Sequence, residues 1–197
     1  EPLACAIHGI DRTDIIPGQT VLVIGGGAIG QLMIQLAKLK GASTVILSEP
    51  IEMRRKIGLS VGADAAVDPI HEDLAQAIFQ ITGNEGTDCV IECVGNPKIA
   101  QQAIEMAGAG GTVVLFSVPP VEGTAPLPLF DVYKKELTVR GSIINPDTHQ
   151  RAVNLINSGR LEIEKLITHH YDLEHLEDAI LMQMSSESIK VVVHPQD

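Results

Sequence analysis

The chain has 197 residues, 45% of them hydrophobic and 20% charged, enough for one sizeable core and part of a second. A formal net charge of −11, few aromatics and no Trp speak against a polyanion-binding surface and a base-stacking platform, so neither nucleic acid nor an anionic membrane is an expected partner. No apolar run reaches the length of a membrane span and no basic, cleavable leader opens the chain, so a cytoplasmic location is expected.

The first segment, EPLACAIHGI, has no initiating Met and is helix-forming over residues 3–10, which suggests a piece of a longer gene product. Pro17 and Gly18 then make a turn. Residues 20–24 form a β-branched apolar run, too continuous for a strand with one wet face, which predicts a strand buried on both sides. Over residues 28–40, Ile29, Leu32, Met33, Leu36 and Leu39 fall at helical spacing, and Gly41 stops that helix. The pattern continues with a strand at 43–49, a helix at 51–60, a strand at 63–68 and a helix at 71–82. A strand at 87–94, a helix at 97–108 and a strand at 112–118 complete it.

Strand and helix thus alternate about every 25 residues. Helical crossovers between parallel strands are the natural outcome, so the expected fold is α/β, a doubly wound parallel sheet of Rossmann type with helices on both faces. The rhythm breaks at VPPVEGTAPLPLF, residues 118–130, a Pro-rich stretch too long for a simple connector and read as a functional loop. A strand at 136–144, helices near 148–158 and 173–186, and a last strand at 188–194 follow.

Gly25, Gly27 and Gly30 spell G-x-G-x-x-G between a strand and a helix, the context in which that pattern carries meaning. Gly25 permits a tight turn, Gly27 lets a pyrophosphate approach the backbone, and Gly30 allows close helix-on-strand packing. N–H groups at the helix start and the helix dipole favour the phosphate charge. Glu49 ends the second strand about 20 residues further on, where a carboxylate accepts from both adenosine ribose hydroxyls and repels a 2′-phosphate, favouring NAD over NADP. Arg54 and Arg55 are the nearby cations that a 2′-phosphate would meet.

Cys5, Cys89 and Cys93 form no C-x-x-C pair and read as small thiols in a reducing compartment. His169 and His170 are adjacent, and neighbours on an extended strand point apart, so the pair is a poor chelate. His71 reads as a helix-start residue, and no residue of this chain is assigned as a catalytic base.

The segments EPLACAIHGI, PGQTVLVIGGGAIG, SEP with Arg54, GADAAVDP and DCVIECVG occur in this order. With VYKKELTVRGSIINP and ITHHYDLEHLEDAI they resemble the zinc-dependent medium-chain dehydrogenases, in the alcohol and polyol branch that acts on sorbitol, butanediol or threonine. The resemblance covers essentially the whole chain and implies the cofactor-binding part of such an enzyme. Residues 1–16 would lead in from a catalytic domain, 17–150 would be the NAD-binding domain, and 151–197 would return toward the catalytic domain. It implies reversible hydride transfer between NAD and a secondary alcohol or diol, a Zn²⁺ whose main ligands lie upstream in relatives, and a homodimer or homotetramer. Glu1 matches an acid that lies at the catalytic zinc. Ala28 and Ile29 would pack beside the pyrophosphate, Arg54 near the adenosine ribose, and Cys93 and Val94 along the cofactor groove. Phe116, Ser117 and Val118, with Ser142, Ile143 and Ile144, would face the nicotinamide carboxamide, and Lys190 would reach the pyrophosphate. The isolated piece is expected to be inactive. Two alternatives stay open: a zinc-free quinone reductase relative using NADPH, and a non-catalytic NAD-binding or NAD-sensing module.

Overall fold

The continuous apolar runs become the strands of one sheet in the computed structural model, which describes residues 1–195. They are β1 (Thr20–Ile24), β2 (Thr44–Ser48), β3 (Ala65–Val67), β4 (Thr87–Glu92), β5 (Ala107–Leu115) and β6 (Thr138–Gly141). All neighbours run parallel, in the order β3-β2-β1-β4-β5-β6. The order reverses between β1 and β4, so the crossovers that leave these two strands go to opposite sides. A crevice is left beyond their carboxyl ends, where open α/β sheets bind ligands.

The helices are α1 (Pro2–Asp11), α2 (Ala28–Leu39), α3 (Glu52–Ser60), α4 (Leu74–Ile81), α5 (Pro97–Met106), α6 (Leu129–Lys135), α7 (His149–Asn157) and α8 (Leu176–Met184). Alternate residues of one strand serve two cores, as the two-residue side-chain period requires. Val21 and Val23 join Val45, Leu47, Cys89 and Ile91 beneath α1 and α2. Leu22 and Ile24 join Ile46, Val90 and Val113 beneath α4 and α5. A fully buried side chain of this kind contributes roughly 1.5–3 kcal/mol, and the run from Val21 to Ile24 is wholly apolar. Beyond the main sheet, β7 (Ile167–Asp172) and β8 (Lys190–His194) pair parallel as a separate two-stranded sheet.

Several boundaries differ from expectation for identifiable reasons. The fifth strand starts at Ala107, because Gly108 lies against the Glu85 carbonyl so closely that a Cβ would sit 2.5 Å from it. The fourth helix starts at Leu74, where Asp73 caps it by accepting from the Gln76 N–H. His71 therefore stands in the preceding turn, its Nδ1 3.0 Å from Asp68 Oδ2, and is not a helix-start residue. The Pro-rich stretch runs into α6, which Glu136 ends in a left-handed conformation at φ 53°. The sixth strand is four residues long, not nine: Ile144, a β-branched residue, is held at φ 47°, outside the extended region. The expected helix at 173–186 divides into a 3₁₀ turn, Leu173–His175, and α8.

Candidate functional site

The chain leaves β1 at Gly25 with φ 99°, where a Cβ would lie 2.9 Å from Val94 Cγ2 and 3.1 Å from the Cys93 carbonyl. Only glycine fits that turn. Gly30 sits one helical turn on, and a Cβ there would fall 1.8 Å from the Gly25 carbonyl oxygen. Gly27 differs from both. It is the N-cap of α2 with extended φ and ψ, and a Cβ there would meet nothing within 4 Å. No side chain caps α2, so its first-turn N–H groups, which have no intrahelical acceptor, face the crevice with the positive end of the helix dipole.

Gly26, an x in the pattern, ties the turn to the acid. Its N–H donates to Glu49 Oε2 at 2.6 Å, and a Cβ there would lie 2.9 Å from Glu49 Cγ. Glu49 is 3% exposed, and its Oε1 accepts from the Ile51 N–H at 2.9 Å. The acid at the end of β2 is therefore built into the glycine turn. Gly25, Gly27, Glu49, Arg54, Cys93 and Val94 all line one cleft of about 420 Å³, with Ile70 and Ile99 as apolar walls.

A second cavity of about 380 Å³ adjoins the start of α2. Ala28, Ile29, Phe116 and Val118 line one part of it, and Ser142, Ile143, Ile144 and Lys190 another, with Glu1 and Cys5 at its edge. Ser117 does not line it; its N–H donates to the Glu92 carbonyl at 3.3 Å. A third cavity, of about 560 Å³, lies at the far end of α2 beside Leu39, Lys40 and Arg151, and holds none of the expected cofactor residues.

The two arginines are less free than the sequence suggests. Arg54 spends its guanidinium on the Ser185 carbonyl at 3.1 Å and the Ser188 carbonyl at 2.8 Å. Arg55 donates to the Glu49 and Pro50 carbonyls, each at 2.8 Å, and pairs with Asp68 at 3.0 Å.

Sequence reasoning passed over Gly26 and Glu92. The middle glycine of three in a row and an acid inside the apolar run DCVIECV were the available signals. Glu92 is buried at the end of β4, where Oε1 accepts from the Val94 N–H at 2.7 Å and the Gly95 N–H at 2.8 Å. Those bonds end β4 and shape the cleft floor at Val94. Burial raises the Glu92 carboxyl above its ordinary range against the opposing pull of the two N–H groups. Burial likewise pushes Cys89 up to about 12 and Cys93 upward, so neither is a thiolate at neutral pH.

The residues present do not compose a zinc site. Glu1 is exposed, and its Oε1 accepts from Cys5 Sγ at 3.0 Å and, more distantly, Asn145 Nδ2 at 3.4 Å. Among the described residues, no three His, Cys, Asp or Glu side chains are grouped to hold a metal ion. His170 turns to His194, Nδ1 to Nε2 at 2.8 Å, and His169 to the Thr168 hydroxyl at 3.0 Å, so the adjacent pair is divided between two contacts.

The 3-2-1-4-5-6 sheet with a glycine turn at its switch point defines a doubly wound domain of the Rossmann class. Comparison with known proteins then gives the family. The zinc-binding dehydrogenase family model matches residues 28–158, and the chain belongs to that family. It is 28% identical over 197 residues to the sorbitol dehydrogenase of Bacillus subtilis, covering 99% of this chain and 56% of that protein. It is 34% identical over 198 residues to the L-threonine 3-dehydrogenase of Thermococcus kodakarensis, again covering 99% and 56%. A solved structure from Sinorhizobium meliloti 1021, assigned as a zinc-binding dehydrogenase and bound to NADP, superposes with a TM-score of 0.94 at 42% identity. The match covers 99% of this chain and 58% of that one. The alcohol dehydrogenase of Thermus sp. ATN1 gives a TM-score of 0.92 at 30% identity, covering 98% and 58%. The chain thus spans a little over half the length of the relatives it matches. Among the described residues no helix is long and apolar enough to cross a membrane.

Proposed function

We propose that this chain binds a nicotinamide dinucleotide, NAD in preference to NADP, as the cofactor-binding part of an oxidoreductase acting on a secondary alcohol or diol. The observation that carries the reading is the bond between Glu49 Oε2 and the Gly26 N–H, which puts a buried carboxylate against the turn that would receive the diphosphate. Gly27, with open space where a Cβ would stand, lets the diphosphate reach the main chain. Glu49 keeps lone pairs for ribose hydroxyls and sets a negative charge where NADP carries its 2′-phosphate. The dinucleotide, when bound, supplies a hydride acceptor. The cavity formed by Ile29, Phe116, Val118 and Ile144 would hold the nicotinamide ring in an apolar wall, with Ser142 beside it. Zinc has no site composed by these residues, and in this proposal its ligands come mainly from the part of the relatives that this chain does not span, Glu1 being the one contribution from here.

A second reading has one observation in its favour: the 42% identical structure is bound to NADP. Against it, Arg54 and Arg55 are both committed to carbonyls and to Asp68. The test is to titrate the protein with NADH and with NADPH and follow nicotinamide fluorescence, which the absence of Trp leaves uncluttered. NADH should bind at least about tenfold tighter, a difference of about 1.4 kcal/mol. Equal affinity, or tighter NADPH, would overturn the choice of NAD, and no binding of either would overturn the reading.

A further inference from the structure

Gln31 is fully buried in the first turn of α2, on a helix that otherwise covers the sheet with Leu32, Met33 and Ile34. Its Nε2 donates to the Gly26 carbonyl at 2.9 Å and to the Arg54 carbonyl at 2.9 Å, while its Oε1 has no hydrogen-bond partner. An unpartnered buried amide oxygen is a net cost that a Leu or Met in its place would avoid. An apolar side chain would avoid that cost but take the donor from the Gly26 carbonyl, so the amide's use lies in where its two donor bonds fall.

The Gly26 residue is gripped from both ends. Its N–H is held by Glu49 and its carbonyl by Gln31. That carbonyl shares a planar trans peptide with the Gly27 N–H, so the two point in opposite directions. Drawing the carbonyl down onto a buried amide turns the Gly27 N–H the opposite way, at a residue where an added Cβ would meet nothing within 4 Å. Two successive glycines would otherwise sample many orientations of this peptide.

We propose that Gln31 is a positioning residue for the diphosphate of the dinucleotide, acting through the Gly26–Gly27 peptide without touching the ligand. The proposal rests on the dinucleotide reading above. Its second bond, to the Arg54 carbonyl, anchors the same amide to α3, so the turn is held in a fixed relation to the helix beside the ribose acid.

The test compares Gln31→Met, which keeps length but loses the donors, with Gln35→Met. Gln35 is a buried glutamine on the same helix whose Oε1 accepts from the Glu162 N–H at 2.7 Å and whose Nε2 donates to the Gln31 backbone carbonyl at 3.4 Å. Affinity is measured for NADH, ADP-ribose and adenosine, the last carrying base and ribose but no diphosphate. Gln31→Met should weaken NADH and ADP-ribose tenfold or more and leave adenosine within twofold, and Gln35→Met should change none of them. The proposal is overturned by NADH affinity within twofold of the parent, or by adenosine weakened as much as ADP-ribose, which marks general loosening. Gln35→Met weakening NADH as much as Gln31→Met does also overturns it. Failure of the unsubstituted protein to bind NADH is a different result and counts against the dinucleotide reading itself. Should Gln31→Met not fold, the Gln31 side-chain amide resonances of the parent protein decide. They should shift with ADP-ribose and stay in place with adenosine, and no shift of the Gln31 amide while NADH binds overturns the proposal.

Discussion

At the scale of single residues, Gly27 and Gly30 separate binding from packing. A methyl group on Gly27 meets nothing in the protein and suits the residue's extended backbone, whereas one on Gly30 lands on the Gly25 carbonyl. Gly27→Ala should keep the thermal midpoint within about 2 °C, a stability change of under ~0.5 kcal/mol, and weaken NADH by at least tenfold. Gly30→Ala should cost about 1–3 kcal/mol or more, because the atom it strikes is backbone and cannot swing aside. Denaturant melts and NADH titration of both variants check the pair. Glu92 gives a pH prediction. Its folded carboxyl is raised by burial, so the stability tied to its protonated form is complete below the unfolded value of about 4.3 and lost as pH rises through the folded value. Glu92→Gln keeps an acceptor for the Val94 and Gly95 N–H groups and removes that dependence. The variant should gain stability relative to the parent as pH rises above about 4, and a difference that does not change with pH across thermal melts would refute the assignment.

At the scale of elements, Arg54 joins α3 to the turn ahead of β8, through the Ser185 and Ser188 carbonyls. Hydrogen bonds from a charged donor contribute about 1.5–3 kcal/mol, so Arg54→Met should cost an amount in that range. It should also speed amide exchange in β8 more than in β1; uniform exchange across both strands would show that the tie is not local. The elements also show what could be read from the sequence. β1, β2 and β4 were legible because strands buried on both faces are continuous apolar runs, and α2 because Leu32, Met33 and Leu36 keep helical spacing. The onset of β5 was not, since Gly108, Gly110 and Gly111 carry no apolar period; Gly108 packs against the turn at Glu85, and Gly110 takes φ 72° within the register shift between Ala107 and Thr112. The short helix α6 was hidden by the prolines before it. At the site, the three spaced glycines and Glu49 stood out because their pattern is local. The contributions of Gly26, Gln31 and Glu92 depend on contacts between segments far apart in the chain, or on burial that spacing does not reveal. The same is true of Arg54, whose partners lie more than 130 positions away.

At the scale of the whole molecule, the chain covers 56% of the sorbitol and threonine dehydrogenases it resembles, and the sheet, turn and acid form a complete cleft within that portion. On the proposed reading the chain is expected to bind a dinucleotide without turning over. With NAD, Zn²⁺ and a panel of secondary alcohols and diols, absorbance at 340 nm should stay flat, and steady NADH formation would show that the residues of this chain suffice for catalysis. Self-association is expected through the open edge of β6, beside exposed Phe130, Tyr133 and Ile143. Light scattering at high concentration should give twice the monomer mass or more, and a monomer would contradict it. The central claim, that a diphosphate settles on the main chain of the glycine turn with Glu49 at the ribose, is tested most directly by amide resonances during NADH addition. Saturable shifts are expected at Gly26, Gly27, Ala28 and Ile29 together with Glu49. Shifts confined to the cavity at the far end of α2, or none at residues 25–30, would contradict it.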